Sequence, residues 1–186
     1  GKAPVVFDGN EINYSTAPRF SELRLSDTAD YFHFTSNETI QGVDYLVDPD
    51  LPGQTVVCDM SSNILSRPVD VSKYALIYAG AQKNCGPAGV TIVIVRDDLL
   101  DRVPDSLPPM MDYNVQAESG SMYNTPPCWS IYVCGLVFKH LLKNGGLSES
   151  DRSTVKNASR FYAAIDGSNG FYIGHAHKDC RSRMNI

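Results

Sequence analysis

The chain has 186 residues, a length for one domain or for one domain and part of a second. Hydrophobic residues make up 42% and charged residues 20%, a globular composition that argues against disorder. The net charge of −5 leaves no basic footprint for nucleic acid, and the longest apolar runs, such as residues 90–95, fall far short of the ~20 residues a membrane helix needs.

Residues 1–29 are polar and turn-rich with no sustained period. Tyr31-Phe32-His33-Phe34 is an aromatic run that predicts a short buried strand. Asn37-Glu38-Thr39 follows as a polar loop, and residues 42–46 suggest another short strand. Asp48-Pro49 and Leu51-Pro52-Gly53 mark turns. Thr55-Val56-Val57-Cys58 predicts a compact buried strand that stops at Asp59, with a polar loop over residues 59–63. Residues 74–79 and 90–95 are apolar and rich in strand formers, separated by a Gly-punctuated loop at 80–89. Continuous apolar strands of this kind are expected to be buried on both faces, which points to an α/β sheet covered by helices.

Residues 104–109 read as a linker. Tyr123-Asn124-Thr125-Pro126-Pro127 is expected to open a helix with Thr125 as its cap, ending at Asn144-Gly145-Gly146. A second helix is expected over about 148–165, capped by Ser148 or Ser150 and broken at 167–170 before a strand-like Phe171-Tyr172-Ile173. Ile186 reads as the middle of a strand. The expected division is 1–146 and 147–186. No charged-then-apolar leader stands at Gly1, so a signal peptide is not expected. A cytoplasmic location follows, with an organellar one open because a targeting segment would lie outside this chain.

The five cysteines, Cys58, Cys85, Cys128, Cys134 and Cys180, are odd in number and lack CxxC spacing. They are expected to be free thiols in a reducing compartment, with no metal site. Cys85 as a nucleophile would need an activating base or cation, and Lys83 is the nearest in sequence.

Two residues carry the chemistry. Lys83 sits in a Gly-rich loop between two strands, where an amine can approach a carbonyl and form a Schiff base; a solvated loop lysine is the other reading. Asp59 lies at the carboxyl end of an apolar strand, where ligands gather in open α/β sheets; a turn or cap aspartate is the alternative. Both are expected at strand ends on adjacent βα units, and taken together they would form the pair that pyridoxal-phosphate enzymes use, lysine on the carbonyl and aspartate on the pyridinium nitrogen.

The segments Asp59-Met60-Ser61-Ser62-Asn63-Ile64-Leu65-Ser66-Arg67-Pro68-Val69-Asp70 and Tyr78-Ala79-Gly80-Ala81-Gln82-Lys83-Asn84-Cys85-Gly86-Pro87-Ala88-Gly89 closely resemble the phosphoserine aminotransferase family. Asn37-Glu38-Thr39-Ile40, Tyr123-Asn124-Thr125-Pro126-Pro127 and Arg181-Ser182-Arg183-Met184-Asn185 match it as well. The resemblance runs from about residue 30 to 186, with residues 1–29 matching more loosely. It implies a fold-type-I transferase that uses pyridoxal 5'-phosphate: most of the chain would be part of a large domain with a mostly parallel sheet, and residues 147–186 the start of a small α+β domain. The implied activity moves an amino group between O-phospho-L-serine and 2-oxoglutarate, giving 3-phosphohydroxypyruvate and glutamate, in L-serine biosynthesis. By the same resemblance Lys83 matches the catalytic, cofactor-binding lysine, Asp59 the ring-nitrogen partner, and Thr39 and Gln82 further cofactor contacts. Asn124 and Thr125 match the pair that reaches the cofactor phosphate of the neighbouring subunit in a homodimer.

The resemblance also implies members about twice this length, with substrate-clamping His and Arg residues outside this chain. His175, His177, Arg181 and Arg183 are therefore expected to be structural or surface residues. This segment alone is expected to be inactive. A non-catalytic, truncated interaction piece is the alternative reading, and a fold-type-I enzyme for another amino acid a weaker one, which the 80–89 and 123–127 motifs oppose.

Overall fold

The computed structural model describes residues 3–186. Among these residues are the strands β1 (Phe32–Thr35), β2 (Asn37–Glu38), β3 (Val43–Asp44), β4 (Val56–Asp59), β5 (Leu76–Gly80) and β6 (Thr91–Val95). Four α-helices follow: α1 (Asp97–Leu100), α2 (Tyr113–Glu118), α3 (Cys128–Lys143) and α4 (Gly146–Asp166). One sheet has the order β1-β4-β5-β6, and β2 and β3 form a separate antiparallel pair.

β1, β4 and β5 run parallel, with Thr35 opposite Asp59 and Asp59 opposite Tyr78. Strand alternation turns Phe32, Phe34, Val56, Cys58, Ile77 and Ala79 into one core. Their neighbours His33, Thr35, Asp59, Tyr78 and Gly80 face the other side and are exposed or half-buried. The N-terminal stretch that shows no sequence period still contributes Phe20, which stacks on Tyr45 at 4.6 Å and meets Phe34 edge-on at 5.1 Å.

The expectation for residues 90–95 needs correction. β6 pairs antiparallel with β5, and it is an edge with Val93 36% and Ile94 43% exposed, not a strand buried on both faces. A parallel return needs a crossover of a dozen or more residues, usually a helix. The loop after β5 has no helix and turns straight back. Asp59 and Lys83 therefore do not sit on successive βα units as expected; Asp59 ends β4 and Lys83 follows its parallel neighbour β5, so both share the carboxyl end of the sheet.

Both expected caps are also corrected. α3 begins after Pro127 with no side-chain cap, so Thr125 does not cap it. α4 begins after Gly145, whose φ of 100° makes the sharp link from α3. Ser148 and Ser150 lie inside α4, and Ser150 Oγ instead donates to the Leu65 carbonyl at 2.8 Å. Phe171-Tyr172-Ile173 pairs with no strand among the described residues and is exposed. Ile186 is in irregular structure too; a single bridge between Val43 and Arg181 is the ladder contact of that segment.

Candidate active site

Asp59 is the last residue of β4. Its inward neighbour Cys58 is fully buried, so alternation puts the Asp59 carboxylate on the open face. The Ser61 backbone N–H donates to Asp59 Oδ1 at 2.8 Å, an Asx turn that fixes the side chain at the strand end. Across the ladder Tyr78 faces it. The Tyr78 hydroxyl is 3.0 Å from His33 Nε2, and the two rings are stacked with centroids 6.0 Å apart. Burial, followed by the negative Asp59, raises the Tyr78 phenol above its ordinary value.

Lys83 is placed by the turn that ends β5. The Ala81 N–H donates to the Val90 carbonyl at 2.9 Å, and the Cys85 and Gly86 N–H groups both return to the Ala81 carbonyl, at 3.1 and 2.8 Å. This one-turn coil buries Ala81 and Cys85 completely and leaves Gln82 and Lys83 outside. Lys83 Nζ donates to Thr39 Oγ1 at 2.5 Å. Gly80 leaves room for Gln82, because a Cβ there would stand 2.6 Å from Gln82 Oε1. The Gly80 N–H donates to Ser61 Oγ at 3.0 Å, tying the Lys83 loop to the turn that carries Asp59.

Thr39 is held from below. Glu38 Oε2 accepts from the N–H groups of Ile40 and Gln41, at 2.9 and 3.0 Å, and the Gly42 N–H closes the turn on the Glu38 carbonyl at 3.1 Å. Asn37, 1% exposed, donates from Nδ2 to Ser62 Oγ and to Asn185 Oδ1, both at 2.8 Å. Residues 37–39 are thus a short pair strand and a tight turn, where the sequence suggested only a loop.

The structure brings Thr39, Asp59, Gln82 and Lys83 to one end of the sheet. Asn124 and Thr125 lie apart from that cluster in their bonding: both are exposed in the turn before α3, and no hydrogen bond joins either to Lys83 or Asp59 among the described residues. Sequence reasoning passed over Ser61, Ser62 and Asn185 as site-supporting residues. The one clue was that each lies within a motif already singled out.

All five cysteines are free. Burial pushes the Cys58 thiol up to about 12 and the Cys85 thiol up to about 11. A buried thiol raised in this way disfavours the thiolate that a nucleophilic Cys85 would need. Arg181 and Arg183 are committed to ion pairs: Arg181 grips Asp166 through two bonds of 2.9 and 2.8 Å, and Arg183 Nη1 meets Asp151 Oδ1 at 2.9 Å. His175 Nε2 contacts the Asn13 carbonyl at 2.9 Å.

The residues present suit pyridoxal phosphate chemically. They offer an outward primary amine, a carboxylate fixed at the neighbouring strand end, and neutral donors around a glycine that leaves space.

The sequence profile of the family described as Aminotransferase class-V matches residues 11–186. The chain is 48% identical over 185 residues to Phosphoserine aminotransferase 1, chloroplastic, of Arabidopsis thaliana, covering 100% of this chain and 43% of that one. The solved phosphoserine aminotransferase of Bacillus circulans subsp. alkalophilus superposes with a TM-score of 0.95 at 45% identity, over 98% of this chain and 51% of that one. The pyridoxal-phosphate-bound phosphoserine aminotransferase of Trichomonas vaginalis gives 0.87 at 41% identity, over 94% and 48%. The chain spans about half the length of the curated relatives it matches.

Proposed function

The chain belongs to the aminotransferase class-V family and has the α/β architecture of fold-type-I pyridoxal-phosphate aminotransferases, and on that premise we propose that the whole protein is a phosphoserine aminotransferase. It exchanges an amino group between O-phospho-L-serine and 2-oxoglutarate, giving 3-phosphohydroxypyruvate and glutamate for L-serine biosynthesis. The observation that carries this reading is the meeting of Lys83 with Thr39 at the end of the sheet where Asp59 closes β4. Identities of 46–49% to five phosphoserine aminotransferases, each matched over nearly all of this chain, support the substrate class.

Pyridoxal phosphate, when bound, supplies the carbonyl that takes up the amino group and the ring that accepts electrons from the substrate α-carbon. Lys83 Nζ is the amine that would hold the cofactor, and it would serve as the base that takes the proton from the substrate α-carbon and as the acid that returns it. The Asp59 carboxylate at the end of β4 would pair with the protonated ring nitrogen through a charge-assisted hydrogen bond. Thr39 accepts from the Lys83 amine and Gln82 offers a neutral amide donor to the phosphate. Asn124 and Thr125, exposed on the turn before α3, reach the phosphate in the neighbouring subunit of a homodimer.

The same proposal puts residues 1–146 in the cofactor-binding domain and 147–186 at the start of the smaller one, the link being Gly145 and Gly146, both at positive φ. No helix among the described residues is long and apolar enough to cross a membrane. The compartment of action is the cytoplasm or an organelle interior. The test is direct: the full-length protein, given pyridoxal phosphate, O-phosphoserine and 2-oxoglutarate, forms glutamate. Glutamate formation with alanine or aspartate as the preferred donor would overturn the substrate assignment.

A further inference from the structure

The polar network beneath Thr39 reaches far along the chain. Asn37 is 1% exposed, and it ties β2 to Ser62 and to Asn185 in one step. The direction of each bond is fixed. Ser62 Oγ donates its proton to the Asn37 carbonyl at 2.7 Å, so it must accept from Asn37 Nδ2. That orientation turns the second Nδ2 hydrogen to Asn185 Oδ1 and leaves Asn37 Oδ1 buried without a partner among the described residues. A buried amide with an orphaned oxygen is held by its two donor bonds, and losing either adds to an uncompensated cost.

Asn185 itself is held by the segment before it. Its N–H and that of Met184 donate to Ser182 Oγ, at 3.1 and 3.0 Å, and fully buried Ser182 donates its own N–H to the Gly42 carbonyl at 2.8 Å. The Asn185 carbonyl lies so near Gly42 that a Cβ there would stand 2.7 Å from it. Both ends of the turn carrying Thr39 are therefore gripped by residues 182–185.

From this geometry we infer that Asn37 and Asn185 are positioning residues for Lys83: the Asn185–Asn37 bond sets the Thr39 hydroxyl that holds the lysine amine, and so couples the 182–185 segment to the reactive nitrogen. Its catalytic meaning rests on the reading of Lys83 proposed above; the coupling itself does not.

The test is competitive acylation of the cofactor-free full-length protein with an isotopically coded acetic anhydride pair, reading Lys83 by peptide mass against Lys73 as internal reference. Thr39→Val removes the acceptor and raises the Lys83 rate about threefold, the size expected of one ordinary hydrogen bond at a solvent-exposed site. Asn185→Leu raises it in the same direction, because Thr39 is released. Asn185→Asp keeps an acceptor oxygen toward Asn37 Nδ2 and stays near the parent rate. A Lys83 rate unmoved by Asn185→Leu, or moved equally by Asn185→Asp, overturns the coupling. A failure of pyridoxal phosphate to attach to Lys83 would instead overturn the proposed function, and that is read separately in the loaded protein.

Discussion

Asp59 and Lys83 reach one end of the sheet through local geometry that their neighbours dictate, an Asx turn for the first and a coil around the Ala81 carbonyl for the second. Asp59→Asn in the full-length protein should retain cofactor and lose most turnover, because a neutral amide cannot hold the ring nitrogen protonated. A hydrogen bond to a charged group is worth about 1.5–3 kcal/mol, so the rate should fall at least about tenfold. Near-normal transamination would remove Asp59 from the role. Thiol chemistry gives an independent check on the rejected nucleophile. Cys128 is exposed while Cys58, Cys85, Cys134 and Cys180 are buried, so a thiol reagent at pH 8 should modify Cys128 fast and Cys85 only on unfolding. Rapid labelling of Cys85 would contradict the raised thiol. The placement of these two candidate residues was legible in the sequence because a strand end and a Gly-rich loop are local patterns. The local pattern gave Asn37 only a place in a polar loop, since its partner Asn185 lies 148 residues away and no local pattern announces such a pair.

At the scale of elements, the short strands 32–35, 56–59 and 76–80 and the two long helices were readable from apolar runs and Gly stops. The direction of β6 was not read, although the missing crossover helix before it already required an antiparallel return. The caps failed because other residues take the cap positions: Pro127 stands before α3, and Gly145, at a φ of 100°, turns the chain into α4. The loop at 80–89 docks on α3 through close approach. A Cβ on Gly86 would stand 2.8 Å from Cys134 Sγ and 3.4 Å from the Cys134 backbone, and Ser130 Oγ donates to the Ala88 carbonyl at 2.8 Å. Gly86→Ala should therefore overpack a buried contact and cost about 1–3 kcal/mol, seen as a lower urea midpoint. Adding Cys134→Ala should recover part of the loss. An unchanged midpoint in the single variant would show that the loop is not pinned there.

Across the whole molecule, the segment after α4 folds back onto the N-terminal half. Arg181 pairs bidentately with Asp166 and lies 4.5 Å from the centre of the Tyr162 ring, while the Tyr162 hydroxyl donates to the Ser182 carbonyl at 2.7 Å. Hydrogen bonds from Arg181, with Lys178 nearby, hold the Asp166 carboxyl down to about 2. Because the folded value lies below the unfolded one, near 3.9, this stabilisation is complete above about pH 4 and is lost as the pH falls toward 2. Asp166→Asn should lower the melting temperature at pH 6, and its deficit should shrink progressively between pH 4 and 2; a deficit independent of pH would contradict the ion pair. The same fold-back delivers Asn185 to the turn that carries Thr39, so the chemistry assigned to Lys83 depends on contacts from both halves of the chain. That assignment is the centre of the account, and borohydride reduction tests it most directly. The full-length protein is incubated with pyridoxal phosphate, reduced, digested and mapped by mass. A single phosphopyridoxyl group is expected on the peptide containing Lys83; label on Lys73 instead, or none on Lys83 in a protein that has taken up the cofactor, would rule out Lys83 as the reactive amine.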